Sequence, residues 1–389
     1  MLQKPRFKSL LASLGVLAAS SGIAAAAEEP DLQTLLQPPA PEGTTPLKVE
    51  TLAEGLVNPW SIAFLPDGAL LVTEREGRLR VIRDGKLQDK PVAGTPEPYV
   101  QSQAGFFDVV LDPGFETNGA LYLSYAAGTA KENATRVVAA HFDGTSLSDI
   151  RTVYETRWKK PTPVHYGGRM AFMKDGTLLI TVGDGFDFRE KAQDLSSDLG
   201  KIVRVNTDGS FPADNPFANR KDALPEIWTY GHRNEQGLVI AADGTVIETE
   251  HGARGGDEIN IIEPGKNYGW PLATYGIDYS GAKVTPYTEY EGTEQPIKYW
   301  TPSIAPSGLA IYDGDLFPGW KGDLLVGALA ERSLHRIKMK NGKPVGEERY
   351  LVGERVRDVR VGPDGAIYVT TEERHGDPVG AVLRLTPQK

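Results

Sequence analysis

Six times along the chain a short apolar run meets a turn and is followed by a second run rich in Leu, Val, Ile, Thr and Tyr. The copies begin at Trp60 (WSIAFLPDGALLVTE), Gly105 (GFFDVVLDPGFETNGALYLSYA), Gly168 (GRMAFMKDGTLLITVGDG), Gln236 (QGLVIAADGTVIETEHG), Ser307 (SGLAIYDGDLFPGWKGDLLVGA) and Val356 (VRDVRVGPDGAIYVTTEE). Four of them turn on Asp-Gly, at Asp67-Gly68, Asp175-Gly176, Asp243-Gly244 and Asp364-Gly365, while the second and fifth carry longer loops. Asp-Gly between two β-rich runs is a strong hairpin signal, because glycine takes the positive φ that the tight turn needs.

Copies recur every forty to eighty residues or so, room for one four-stranded sheet plus insertions. Amphipathic helices of the length a doubly wound fold needs are all but missing. The pattern therefore predicts an all-β fold, a six-bladed β-propeller of four-stranded antiparallel sheets. The segment from Lys48, KVETLAEGLVNPW, can pair with the terminal run Gly380-AVLRLTP and close the ring, by analogy with other propellers. A ligand would then lie at one mouth of the central channel, on loops from several blades.

The amino terminus changes the picture next. Lys4, Arg6 and Lys8 precede an apolar run from Leu10 to Ala19 and a small-residue stretch, Ala24 to Ala27. That order predicts a cleaved signal peptide over residues 1–27 and hence a periplasmic protein. Residues 28–47, rich in Pro, Glu, Gln and Thr, read as a linker or surface arm, and 48–389 as the propeller. No other segment is apolar enough to span a bilayer. The chain has no cysteine, which excludes a lipid-anchored lipoprotein. The formal charge of −10 argues against a nucleic-acid partner, which would call for clustered Lys and Arg.

Candidate chemistry concentrates between Tyr230 and Pro271, with contributions from either side. His165, at the expected start of a strand, and Asp184, at the far end of the next, return to one sheet edge in a strand–turn–strand unit. An Asp there can orient the imidazole as a general base, although His165 could equally cap a turn. Arg233, beside Asn234, can polarise a carbonyl oxygen or form a surface ion pair. Arg355 and Arg357, two apart in a strand, share a face and call for an anion between them, either a ligand or Asp358 or another nearby acid. In Gly252-ARGGDEIN, glycine-held carbonyls with Asp257 and Glu258 offer hard oxygen donors that suit calcium, or else bonds between blade turns.

Taken together, Gly231-HRNEQGL, Glu250-HGARGGDEINIIEPGKNYGWP and Gly353-ERVRDVRVGPDG resemble the glucose/sorbosone dehydrogenase family, soluble quinoproteins that use pyrroloquinoline quinone (PQQ). The resemblance runs from about Val49 to Leu385. It implies a calcium- and PQQ-dependent dehydrogenase that oxidises an aldose at its anomeric carbon to the lactone and passes electrons to a small acceptor or a quinone chain. It also implies roles: His165 as base, Asp184 as its orienting acid, Arg233 at the reactive quinone carbonyl with Asn234 beside it, and Gln103, Arg355 and Arg357 on the cofactor. Tyr279 would wall the cofactor cleft. The carbonyls of Gly252 and Ala253 would hold the calcium at the cofactor, and Glu258 with the backbone of Tyr268 a second calcium. Two positions depart from the pattern, Ala330 where relatives often carry Lys and Ala253 where Pro is common. The alternatives are a calcium-dependent propeller lactonase and a non-catalytic binding propeller. No Gly-x-Gly-x-x-Gly fingerprint for NAD is present.

Overall fold

A strand packed between two neighbouring sheets buries both of its faces, so it reads as an unbroken apolar run instead of alternating. The second strand of every repeat is buried on both faces, as an apolar run in Leu178–Val182 but with two buried glutamates in Val246–Glu250. In the computed structural model, which describes residues 35–372 and 379–388, the repeats become six four-stranded antiparallel sheets arranged as a six-bladed propeller. The first blade is β2 (Pro59–Phe64), β3 (Leu70–Glu74), β4 (Arg78–Arg83) and β5 (Lys86–Leu87). The second is β6 (Phe106–Leu111), β7 (Ala120–Gly128), β8 (Asn133–Phe142) and β9 (Leu147–Glu155), and the third β10 (Met170–Phe172), β11 (Leu178–Val182), β12 (Lys201–Val205) and β13 (Ile227–Tyr230). The fourth is β14 (Glu235–Ile240), β15 (Val246–Glu250), β16 (Asp257–Ile262) and β17 (Lys298–Trp300). The fifth is β18 (Pro306–Ile311), β19 (Leu324–Ala328), β20 (Ser333–Lys340) and β21 (Lys343–Leu351).

The last blade closes the ring as expected. Its strands β22 (Arg355–Val361), β23 (Ile367–Glu372) and β24 (Val379–Pro387) are completed by β1 (Leu47–Val57), paired from Leu47 opposite Pro387 to Val57 opposite Val379 with register shifts between Thr51 and Ala53 and between Glu54 and Leu56. Residues 35–46 lie on the surface as an arm, donating from Gln37 N to Thr301 O and from Gly43 N to Arg349 O. Most of the segment read as a signal peptide and linker falls outside the described residues.

Each gap between neighbouring blades holds its own apolar cluster. Leu71 and Leu79 meet Phe106 and Leu121 between the first two blades, and Tyr312 and Trp320 meet Val356 and Ile367 between the last two. Polar side chains plug the channel instead. Arg169 from the third blade reaches Asp358 at 3.0 Å and Asp108 at 3.5 Å, and Arg360 reaches the same two acids at 3.1 and 3.0 Å. Asp358 is thus committed to the plug.

One irregularity recurs at the channel. Five of the six innermost strands slip register at their mouth end: between Pro59 and Ser61, Phe106 and Val109, Glu235 and Gly237, Pro306 and Leu309, and Val356 and Asp358. A bulge leaves a residue unpaired and re-aims its side chain. Trp60, Phe107, Gln236 and Arg357 fall in these slips, and all four line the cavity described next.

Candidate functional site

His165 and Asp184 are brought together as the strand–turn–strand reading requires, with Nδ1 of the ring 2.7 Å from Asp184 Oδ1. The local geometry differs from the expectation in one respect. His165 does not begin a strand; it belongs to the loop before β10 and holds a left-handed φ of 53°. Its backbone N–H donates to Gln103 Oε1 at 2.8 Å, so Gln103 braces the loop. Asp184 lies just beyond β11 and is fully buried. Its Oδ1 also accepts from Phe186 N at 2.7 Å, and its Oδ2 accepts the indole N–H of Trp270 at 2.8 Å. Both carboxylate oxygens are therefore fixed, and so is the ring that leans on them. The Nε2 of His165 makes no hydrogen bond among the described residues, and Phe186 stands edge-on to the ring at 5.2 Å.

Charge around the pair favours a neutral imidazole. Burial, then the cation of Arg233, pulls the His165 pKa below its ordinary value against the opposing pull of Asp184. Burial alone would raise Asp184; its interaction with His165, aided by Arg233 and the Phe186 N–H, outweighs that and holds it below the usual range. A third buried group, Lys160, was not evident from the sequence. Its ammonium donates to Thr162 O at 2.7 Å and Val164 O at 2.8 Å and lies 3.4 Å from the Tyr166 ring centre, clamping the loop that carries His165. Burial lowers its pKa to about 7.

Arg233 is buried and faces two ways. Its guanidinium donates to the carbonyls of His251, at 3.1 Å, and Gly252, while its ring neighbours are Trp270 at 5.2 Å and Tyr279 at 5.9 Å. Its Nε has no hydrogen-bond partner among the described residues, an unsatisfied donor beside the dyad. Asn234 is buried with its Oδ1 accepting from Gly167 N at 3.2 Å. Asp257 brackets the glycine loop through Gly252 N at 2.9 Å, Ser303 Oγ at 2.7 Å and Ala305 N at 3.0 Å. A Cβ on Gly252 would meet Gly255 O at 2.2 Å, so this tight turn admits only glycine.

Glu258 takes a bond from Asn260 Nδ2 at 3.2 Å, and burial drives its pKa well above the usual carboxylate range. It lines a small gap of about 10 Å³ with Glu250, Gly252 and Tyr268. The carboxylates of Glu258 and Glu250 beside backbone carbonyls form a hard-oxygen donor set that fits calcium.

Beside the dyad lies a cavity of about 350 Å³ lined by Gln103, Tyr166, Asn234, Ala330, Arg355 and Arg357, among others. The two arginines do converge, but the chain supplies an anion between them. Glu372, opposite Arg355 in register, takes Arg355 Nη2 at 3.1 Å and Arg357 Nη2 at 2.9 Å. Burial would raise Glu372, and the charge of Arg357, then Arg355, more than reverses this. Arg357 reaches the same acid because it stands in the bulge, and it also meets Gln236 Oε1 at 3.2 Å. A second, shallower cavity of about 270 Å³ lies on the Arg233 side, bounded by Phe186, Ala253, Trp270 and Tyr279. Tyr279, at 58% exposed, belongs to this rim and not to the lining of the larger cavity.

A carboxylate-oriented histidine at the mouth of a six-bladed propeller, beside a concave site holding convergent cations, has the features of an enzyme active site. The comparison with known proteins makes the class specific. A model of the glucose/sorbosone dehydrogenase family matches residues 56–384, and the chain belongs to that family. It is 42% identical over 352 residues to the aldose sugar dehydrogenase YliI of Escherichia coli (strain K12), covering 88% of this chain and 93% of that one. The crystal structure of the soluble aldose sugar dehydrogenase of Escherichia coli in its apo form superposes with a TM-score of 0.84 at 40% identity, covering 88% of this chain and all of that one. The PQQ-bound aldose sugar dehydrogenase of Streptomyces coelicolor gives a TM-score of 0.73 at 28% identity, with 90% of this chain and 100% of that one covered.

Proposed function

We propose that this protein is a periplasmic, calcium- and PQQ-dependent dehydrogenase that oxidises aldoses at the anomeric carbon to lactones. The observation that carries the reading is the His165–Asp184 pair, a buried, neutral-leaning imidazole with one nitrogen fixed and the other free, set beside a cavity holding Arg355 and Arg357.

The cofactor, when bound, supplies the two-electron oxidant, and calcium makes its quinone carbonyl more electrophilic. Everything else falls to the chain. His165 Nε2 takes the proton of the anomeric hydroxyl as hydride leaves the anomeric carbon, and Asp184 stabilises the imidazolium. Arg233 would hold its positive charge beside the quinone carbonyl and so favour its acceptance of electrons. Gln103, Asn234, Arg355 and Arg357 bind the cofactor from the larger cavity; Gly252, Ala253, Glu258 and Tyr268 hold the calcium ions. Tyr279, at the rim of the shallower cavity, is a wall against which a sugar can rest.

The test is reconstitution of the purified apoprotein with excess calcium and titrated PQQ, followed by dye reduction with a panel of aldoses, alongside His165→Ala. Saturable, cofactor-dependent reduction that disappears in the variant is expected. Failure to bind the cofactor at any concentration overturns the reading and turns attention to lactone hydrolysis with calcium alone.

A further inference from the structure

The face that the fourth blade turns toward the third carries more negative charge than its surroundings neutralise. Glu235, Glu250 and Glu258 stand in one cross-strand row, with Glu235 opposite Glu250 and Glu250 opposite Glu258. Glu248 and Asn260 form the adjacent rung. Glu235 and Glu248 are 0% exposed, Asn260 1% and Glu250 4%. Like charges directly opposite one another repel, and burial deprives them of water as well.

Donors on this face are too few for the acceptors. The single amide of Asn260 serves Glu248 at 2.8 Å, Glu258 at 3.2 Å and Glu250 at 3.5 Å, and Arg233 N serves Glu250 Oε2 at 2.6 Å. Both oxygens of Glu235, Oε2 of Glu248 and Oδ1 of Asn260 are left without a hydrogen-bond partner among the described residues. Buried acceptors are almost always satisfied, so four of them on one face call for something positive beside them.

His232 completes the arrangement. It is fully buried, stacked on Tyr268 at 4.8 Å, with Nε2 2.9 Å from Thr229 Oγ1 and Nδ1 turned to Glu250 Oε1 at 3.3 Å. A ring that donates through Nε2 to Thr229 presents a lone pair at Nδ1, the arrangement seen when a second-shell group fixes a metal-binding tautomer. One ligand atom from each of His232, Glu248 and Glu250 lies within 4.8 Å of the others.

We propose that His232, Glu248 and Glu250, with Glu235 paired opposite Glu250, form a structural site for a divalent transition metal such as Mn2+ or Zn2+. This site adjoins the hard-oxygen gap at Glu258 and Gly252 and shares Glu250 with it, but takes its other ligands, His232 and Glu248, from outside that gap. An imidazole ligand among carboxylates favours these ions over calcium. The metal joins the third blade to the fourth directly beneath Arg233, the residue that follows His232. The proposal does not depend on the dehydrogenase reading, and its test involves no turnover.

The chain is unfolded and refolded with Mn2+ alone, with Zn2+ alone, and with chelator, because a site this buried fills as the blades close. Bound metal is then counted by mass spectrometry after gel filtration, for the wild type, Glu258→Gln, His232→Ala and Glu248→Leu. Retention of about one Mn2+ or Zn2+ per chain in the wild type and Glu258→Gln, and its loss in His232→Ala and Glu248→Leu, is expected, with a melting temperature about 5 °C higher in the metal-loaded wild type. Glu248→Leu also guards against misfolding, since an apolar residue can occupy the same space without repulsion. A wild type that refolds metal-free, with Glu248→Leu more stable than it, would overturn the site and show that the cluster is relieved by protons. Retention that survives in His232→Ala and Glu248→Leu but is lost in Glu258→Gln would equally overturn it.

Discussion

Trp270 holds Asp184 from a loop in another blade: its indole N–H donates 2.8 Å to the carboxylate oxygen that faces away from His165. Removing that donor leaves a buried carboxylate oxygen unsatisfied, a cost of about 1–3 kcal/mol, and frees Asp184 to rotate. Trp270→Phe should therefore lower kcat about tenfold through misorientation of His165, in keeping with such an energy. Steady-state kinetics of the reconstituted protein, with a thermal melt to confirm folding, checks this.

The acid limb of the rate profile follows from the same pair. A general base must be neutral, and burial and Arg233 lower the His165 pKa, so the limb of kcat/KM should fall below the ordinary histidine range. Asp184 opposes that shift, so Asp184→Asn should move the midpoint further down. Arg233 contributes to it, so Arg233→Gln should move the midpoint up. Histidine-selective NMR of the apoprotein reads the same midpoints without turnover.

Lys160 is a positioning residue whose contribution depends on pH. Its folded pKa, about 7, lies below that of an exposed lysine. Above this value the unfolded chain holds the proton that the folded chain has lost, so this group's contribution to stability rises with pH until the unfolded lysine also titrates. The difference in melting temperature between wild type and Lys160→Met should thus shift in favour of the wild type from pH 6 to pH 9. The kcat of the variant should fall about tenfold with little change in cofactor affinity, as for loss of an orienting contact. Melts across pH and a cofactor titration separate the two effects.

Glu372 competes with any anionic ligand for Arg355 and Arg357. Glu372→Gln should release both guanidiniums and tighten PQQ binding to the apoprotein about tenfold at low salt, with a steeper dependence on ionic strength. Arg357→Ala should weaken it. Fluorescence titration of PQQ into each apoprotein at two salt concentrations measures both effects.

The six repeats were legible because their signals are local. An Asp-Gly turn and an apolar strand buried on both faces announce themselves within a dozen residues, as Asp175-Gly176 and Leu178–Val182 do. The His165–Asp184 contact was legible for a related reason, since one hairpin joins the two. Trp270 was not, because it reaches Asp184 across 86 residues of sequence. Lys160 was hidden by its type: lysine is read as a surface residue, and only the fold shows carbonyls converging on it. The role of Glu372 required knowing that Arg357 stands in a bulge, and a one-residue slip leaves no mark on the apolar pattern that reveals the strands.

Those slips divide the labour of the inner strands. Residues in regular register face neighbouring blades, where volume is tightly constrained, whereas Trp60, Phe107, Gln236 and Arg357 leave the ladder and meet at the mouth. Their side chains answer to the ligand more than to the interblade cores. The ring can consequently be retuned at these four places, one per contributing blade, for a different molecule at the mouth, while the wedges that keep the circle closed stay as they are.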